Sequence, residues 1–320
     1  RGNYFIPDAR KFWIKPSVKF LKREVENGNY HAIITTGPPH SLHLIGLKLK
    51  EALNIKWIAD FRDPWTQIGY HDKLKLSENS RMKHEELEHQ VLSAADHIIT
   101  TSFSTKKEFE SKTSKPVTVI TNGYDIELEP EDSKNKYFEI AHIGSLLSGR
   151  NPENLWRALK QLSQESQEFK RKFRLRLAGK VSEEVLKSIK IHQLQDYLVN
   201  EGYVSHEKAI QIQREASVLA LIEIDAEETK GIIPGKLFEY LAAKKPILAV
   251  GPMNWDAERI IKNTNAGEVF SYADTFEMSN YIKELFQKFL KNEKMNNSYN
   301  LNQYHRKTLT ATLANLIKQV

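Results

Sequence analysis

The stretch Gly231-Ile-Ile-Pro-Gly-Lys-Leu-Phe-Glu-Tyr-Leu-Ala-Ala-Lys-Lys-Pro-Ile-Leu-Ala-Val250 joins a tight loop, a short amphipathic segment and a buried strand in one unit. Gly231, Pro234 and Gly235 make the loop, and from Lys236 onward Leu237, Phe238, Leu241 and Ala242 recur at helical spacing. A helix that starts there turns its free N–H groups and positive end toward the loop, where Lys236 adds a full charge, so the unit reads as a phosphate site. Glu239 follows about one turn on, placed to accept hydrogen bonds from a pair of hydroxyls. The apolar run Pro246-Ile-Leu-Ala-Val250 has the character of a strand in the middle of a parallel sheet. The competing reading is an ordinary amphipathic helix between a loop and a strand.

Outward from this unit, apolar runs alternate with amphipathic ones, the pattern of α/β domains built on parallel sheets. In the first part strands are expected at His31 to Thr36, Ile55 to Asp60, His97 to Thr101 and Val117 to Thr121. Helices are expected at Pro16 to Glu26, Ser41 to Leu53, Arg81 to Ala94 and Ser104 to Lys112. An acidic, turn-rich stretch follows Asn122-Gly123 and reads as a linker at residues 127–136, between a first domain at 1–126 and a second at 137–320. The second domain has expected strands near Tyr137 to Gly144, Phe173 to Ala178, Tyr197 to Gly202, Ser217 to Ile222, Pro246 to Val250 and Gly267 to Phe270. A terminal helix from His305 to Val320 carries Leu309, Leu313, Leu316, Ile317 and Val320 on one face.

With 320 residues the chain can bury two cores of ordinary size. Lys and Arg number 47 against 41 Asp and Glu, a net charge of +6, which favours anionic partners. The charges are interspersed along the chain. There is no cysteine, so disulfides and thiolate metal sites are excluded and a reducing, cytoplasmic setting fits. No apolar run approaches the roughly 18 residues that a spanning helix requires. Among the histidines, His84 and His89 are five apart and off a shared helical face, so no zinc site is expected.

Four further segments carry chemistry. Val117-Thr-Val-Ile-Thr-Asn-Gly-Tyr-Asp125 closes a strand on an Asn-Gly turn just before the linker. Ile140-Ala-His-Ile-Gly-Ser-Leu-Leu-Ser-Gly-Arg-Asn-Pro-Glu-Asn-Leu155 ends a strand at Gly144, where a phosphate or sugar can approach the backbone, and offers Arg150 to clamp phosphate oxygens. In the first domain, Thr35-Thr-Gly-Pro-Pro-His-Ser41 and Asp60-Phe-Arg-Asp-Pro-Trp65 both close strands, so both lie at the carboxyl edge of the sheet, where open α/β folds bind ligands. The second of these gathers two carboxylates, a guanidinium and an indole. Its bland alternative is an ion pair between Arg62 and Asp60 or Asp63 that only shapes the loop.

Together these segments resemble the retaining GT-B glycosyltransferases, the large family 4-like group that includes sucrose-synthase-like and bacterial cell-surface sugar transferases. The resemblance implies two Rossmann-like domains facing across a cleft, and transfer of a sugar from a nucleoside diphosphate sugar to a hydroxyl of a glycan or glycolipid acceptor. It implies no cofactor and no metal, retention of anomeric configuration, and a terminal helix that folds back toward the first domain. The donor would be held by Gly144, Ser145, Arg150, Tyr203, Val204, Ile233, Pro234, Gly235, Lys236, Leu237 and Glu239. Arg150 and Lys236 would neutralise the departing diphosphate, Glu239 would hold the ribose, and Tyr203 or Val204 would flank the base. Asp63, His40 and Arg62 would serve the acceptor side, Asp63 or His40 orienting or deprotonating its hydroxyl. The linker is the expected hinge. A peripheral contact with an anionic membrane at its inner face fits the basic charge, and no nucleic acid is expected.

The chain departs from the family pattern in places. Ser145 stands where many members have Arg and Asn151 where many have Lys. Gly231 occupies the position of the first of two paired glutamates, so its contacts would pass to the Ile232 and Ile233 amides or to Glu227 or Glu228. Family members also open with a strand and a glycine-rich loop, and a leading segment of the first domain is expected to be absent from this chain. The alternatives are a nucleotide-sugar epimerase of the same fold and a non-catalytic protein that binds nucleotide sugars or nucleic acid.

Overall fold

Two units form, Arg1–Asn122 with Arg306–Val320, and Gly123–His305. The computed structural model describes residues 2–67, 74–125 and 135–320. The expected linker and hinge at 127–136 therefore fall outside the described residues, apart from 135 and 136.

The first unit holds four parallel strands in the order β1 (Ala32–Gly37), β2 (Lys56–Phe61), β3 (His97–Thr100), β4 (Val117–Val119). Helices α1 (Ile14–Asn27), α2 (Ser41–Leu53), α3 (Glu78–Ala94) and α4 (Phe103–Lys112) connect them. Side chains alternate across a strand, and here each side has its own core. Trp57, Ala59 and Phe61 of β2 join Ile98, Val91 and Phe109 on one face, while Ile58 and Ile99 join Ile120 on the other. Burying each such ring or branched side chain contributes roughly 1.5–3 kcal/mol. Serine caps start two of the helices: Ser77 Oγ accepts from Ser80 N–H and Ser102 Oγ from Thr105 N–H. Asn54, in the left-handed region at φ 50°, ends α2.

The second unit has six parallel strands: β5 (Phe138–Ile143), β6 (Phe173–Ala178), β7 (Leu198–Gly202), β8 (Val218–Ile222), β9 (Ile247–Val250) and β10 (Gly267–Phe270). Its helices are α5 (Glu153–Glu165), α6 (Gln167–Lys172), α7 (Glu183–Ile191), α8 (His206–Glu215), α9 (Gly235–Ala242), α10 (Asp256–Thr264) and α11 (Thr275–Leu290). From β5 the chain steps outward to β6 and β7, then returns to lay β8 on the other side of β5, giving the order β10-β9-β8-β5-β6-β7. The winding reverses between β5 and β8, the switch point at which doubly wound sheets take ligands. Phe138, Phe169, Phe173 and Phe286 pack with Trp156 in the core beneath.

The last helix, α12 (Arg306–Gln319), groups with the first unit, where Leu309, Leu313, Leu316 and Val320 cover Ile58, Ile99 and Ile120. Ile317, expected on the same face, is 37 % exposed. Among the described residues no helix is long and apolar enough to cross a membrane.

Candidate functional site

In the second unit β5 and β6 each run into a glycine with positive φ, Gly144 at 118° and Gly179 at 126°, and β7 ends on Gly202 at 64°. The two neighbours are fitted to each other. A Cβ on Gly179 would lie 2.4 Å from Gly144 O, and a Cβ on Gly144 would lie 2.8 Å from Lys236 Nζ. Small residues thus let the Lys236 ammonium come up against the backbone at the carboxyl end of β5, beside the switch point. Ser145, next along, is exposed.

Lys236 arrives there because α9 is anchored at both ends of its first turns. Trp255, itself buried, donates from Nε1 to Ile232 O at 2.5 Å, and Asp256 N–H donates to Lys230 O at 2.8 Å, which pins the loop before the helix. Pro234 is the extended cap, and Leu237 N–H makes the turn bond to Pro234 O at 3.0 Å. The Gly235 and Lys236 amides lead the helix, at its positive end. Leu237, Phe238 and Leu241 fill the core. Tyr240, wholly buried, accepts Ile143 N–H at 3.0 Å and ties α9 to the end of β5.

Electrostatics follow from this crowding. Burial first, then the Arg150 guanidinium, push the Lys236 ammonium down to about 8, while Glu223 and Glu239 oppose the shift. Burial, with Lys236 next, pushes His142 down to about 3, so it is neutral, and its Nδ1 lies 2.9 Å from the Ala220 carbonyl. Arg150 has a protein partner: its Nε and Nη2 donate to Glu223 Oε1 at 2.9 and 2.7 Å, and Ile224 N–H donates to the same oxygen at 2.9 Å. Glu223 is fully buried at the end of β8 and carries no signal in the sequence beyond an acid after an apolar run.

The remaining donor residues are placed as follows. Glu239, half-buried on α9, accepts from Gln213 Nε2 at 2.8 Å. Tyr203 is 96 % exposed and Val204 half-buried in the loop that opens α8, whose cap is Ser205 Oγ accepting Lys208 N–H at 3.2 Å. Ile233 is half-buried. Asn151 is structural: its amide donates to Glu153 and Ser188 at 3.0 and 2.8 Å and accepts from Trp156 Nε1 at 2.8 Å. Of the acids near Gly231, Glu227 pairs with Lys230 at 2.6 Å.

In the first unit, the Asp60 to Trp65 loop divides into a packed half and a charged half. Trp65 is buried, stacks on the His40 ring at 4.6 Å with 4° between planes, and donates from Nε1 to His84 Nδ1 at 3.1 Å. Phe61 stacks on buried His43 at 4.1 Å. His40, expected to face an acceptor, is itself buried in this stack. Arg62 binds Asn122 Oδ1 and lies 3.7 Å from Asp60, so the ion pair runs to Asp60. Burial raises the Asp60 carboxyl, with Arg62 opposing. Asp63 is exposed, yet partial desolvation also raises its carboxyl, again against Arg62. One partner was invisible in the sequence: Asp8 accepts from Ser41 N–H at 2.8 Å and Ser41 Oγ at 3.0 Å, so a carboxylate occupies the positive end of α2.

Residues 2–128 match the domain described as Glycosyltransferase Family 4. No curated protein matches the chain by sequence. Among solved structures, sucrose-phosphate synthase from Thermosynechococcus elongatus is 15% identical with a TM-score of 0.64, over 97% of this chain and 79% of that one. Anabaena HepE in complex with UDP-glucose is 15% identical with a TM-score of 0.66, over 95% of this chain and 82% of that one. These likenesses show the fold, which is GT-B.

Proposed function

We propose that this chain is a glycosyltransferase that moves a sugar from a nucleoside diphosphate sugar to a hydroxyl of a glycan or glycolipid, with retention and without a bound metal. The observation that carries the reading is the Lys236 ammonium seated against Gly144 at the switch point of the second sheet, beside the leading amides of α9. A diphosphate placed there would meet backbone donors, a helix end and a full charge, and the charge that builds on it as the sugar leaves would be stabilised in place. Glu223 holds Arg150 in position in this reading, and the guanidinium supports the phosphate as one partner of that pair. Glu239 takes the ribose, and Asp63 orients or deprotonates the acceptor hydroxyl, flanked by Arg62. His40 contributes by packing Trp65.

The match over residues 2–128 and the GT-B fold support the reaction class. Complexes of the Anabaena protein with UDP and with UDP-glucose make UDP-sugars the first donors to try. A thermal-shift screen with UDP-, GDP-, ADP- and CMP-sugars tests the reading, because a ligand that binds only the folded state raises its apparent stability. A shift with a nucleoside diphosphate sugar, followed by acceptor-dependent release of the diphosphate, is the expected result. Absence of a shift with every donor would overturn it, and an isomerised donor formed without acceptor would mark an epimerase.

Peripheral contact with an anionic membrane is part of the same reading. From Arg10 to Arg23 the chain carries six basic residues and no carboxylate, and Phe12, Trp13 and Phe20 are exposed along the same segment. Sedimentation with vesicles containing anionic lipid, but not with neutral ones, is the expected outcome; equal behaviour with both removes this contact.

A further inference from the structure

Gln213 lies on the buried face of α8 with Ala209 and Ile212, its side chain entirely shielded from solvent. Among the described residues its side chain makes one hydrogen bond: Nε2 donates to Glu239 Oε2 at 2.8 Å. Its Oε1 is buried and finds no donor among the described residues. A buried amide with one end unsatisfied is less stable than an apolar side chain of the same shape. Among the described residues the Glu239 carboxylate is the one side-chain partner of this amide, so that bond is what the amide serves.

We infer that Gln213 is a positioning residue for the nucleotide: it fixes one oxygen of the Glu239 carboxylate and leaves the other to accept from a ligand diol. The inference rests on the assignment of Glu239 to the ribose above. Glu239 sits three residues past Lys236 on α9, on the half-buried side of the helix. A free glutamate there would lose rotamer freedom when a ligand bound, and a carboxylate already held by Gln213 has lost it beforehand, which favours binding. The amide also links α8, which the Tyr203-Val204 loop opens, to α9, so the helix expected beside the base and the carboxylate expected at the ribose are joined by one bond.

Gln213→Met and Gln213→Glu test this, with calorimetric affinities for the nucleoside diphosphate that the donor screen selects, UDP first, and for its 2',3'-dideoxy analogue. Gln213→Met should weaken the ribonucleotide about tenfold, leave the dideoxy analogue unchanged, and keep or raise the melting temperature. In Gln213→Glu two carboxylates meet where a hydrogen bond was, and they share a proton only at low pH. Ribose preference should therefore be lost at pH 8 and return toward pH 5, a profile that a purely structural amide would not produce. Full ribose preference in Gln213→Met, or an equal loss for both nucleotides with a lowered melting temperature, overturns the inference. A wild-type protein that binds both nucleotides alike, or neither, removes the ribose assignment itself and the inference with it, a result seen without any substitution.

Discussion

The carboxyl ends of the two sheets are built on opposite plans. In the first unit they are plugged with rings: Trp65 on His40, Phe61 on His43, and Thr66 just beyond bound to Glu88, which Lys112 neutralises at 2.7 Å. In the second unit they are opened by glycine, and a lysine occupies the space. The difference separates two reasons for an unusual loop. Packing explains the aromatic half of Asp60-Phe-Arg-Asp-Pro-Trp65, leaving Arg62 and Asp63 as its chemical half. At Gly144 no ring or apolar side chain fills the space: the side chain nearest to it is that of Lys236.

The widest test of that division sets Asp63 against Trp65. If Asp63 is the base for the acceptor, Asp63→Asn should lower turnover at saturating donor by about 10²-fold or more, with donor affinity and melting temperature unchanged. Near-normal turnover would return the whole loop to packing. Trp65→Ala should instead cost about 3–5 kcal/mol of stability through the cavity it leaves, read by denaturant unfolding. A loss under 1 kcal/mol would mean that the stack with His40 is not what holds the loop.

A narrower test compares two glycines of the second unit. Gly144→Ala forces a side chain into positive φ and toward Lys236, and should cost about 1–3 kcal/mol. Gly235→Ala puts a Cβ where nothing lies within 4 Å and should change stability by less than about 0.5 kcal/mol. Equal effects in unfolding experiments would show that the tight fit at Gly144 is not real.

The location of nearly every strand was legible, because a strand buried on both faces is a short apolar run, and Val218–Ile222 and Ile247–Val250 are unbroken ones. The fold class followed from their alternation with helices. The partners of the site residues were not legible. Glu223 meets Arg150 across 73 positions and Gln213 meets Glu239 across 26, and local spacing carries no trace of either. Asp8 capping α2 across 33 positions is the same kind of contact. The burial of His40 was missed because Pro-Pro-His-Ser reads as an exposed loop until Trp65 is laid against it. Ile317 was misplaced because it follows Leu316 directly and the helix turns it about 100° away from the seam.

Lys236 links the site to pH. Its folded value of about 8 lies below the usual 10.5, so between those values the folded state holds fewer protons than the unfolded one and stability rises as pH climbs through that window. Below it the buried charge is a cost. Lys236→Met should therefore not lower the melting temperature at pH 7, and a clear drop would show that the lysine is part of the scaffold.

The most direct test of the central claim is the affinity of the protein for a nucleoside diphosphate, measured by calorimetry at pH 7 and pH 9 in wild type and in Lys236→Met. If the ammonium at Gly144 receives the diphosphate, wild type binds more tightly at pH 7, where Lys236 is charged, and the variant binds about tenfold more weakly at pH 7 with no such dependence. A variant that binds as tightly as wild type, with the same pH profile, would contradict the placement of the phosphate site.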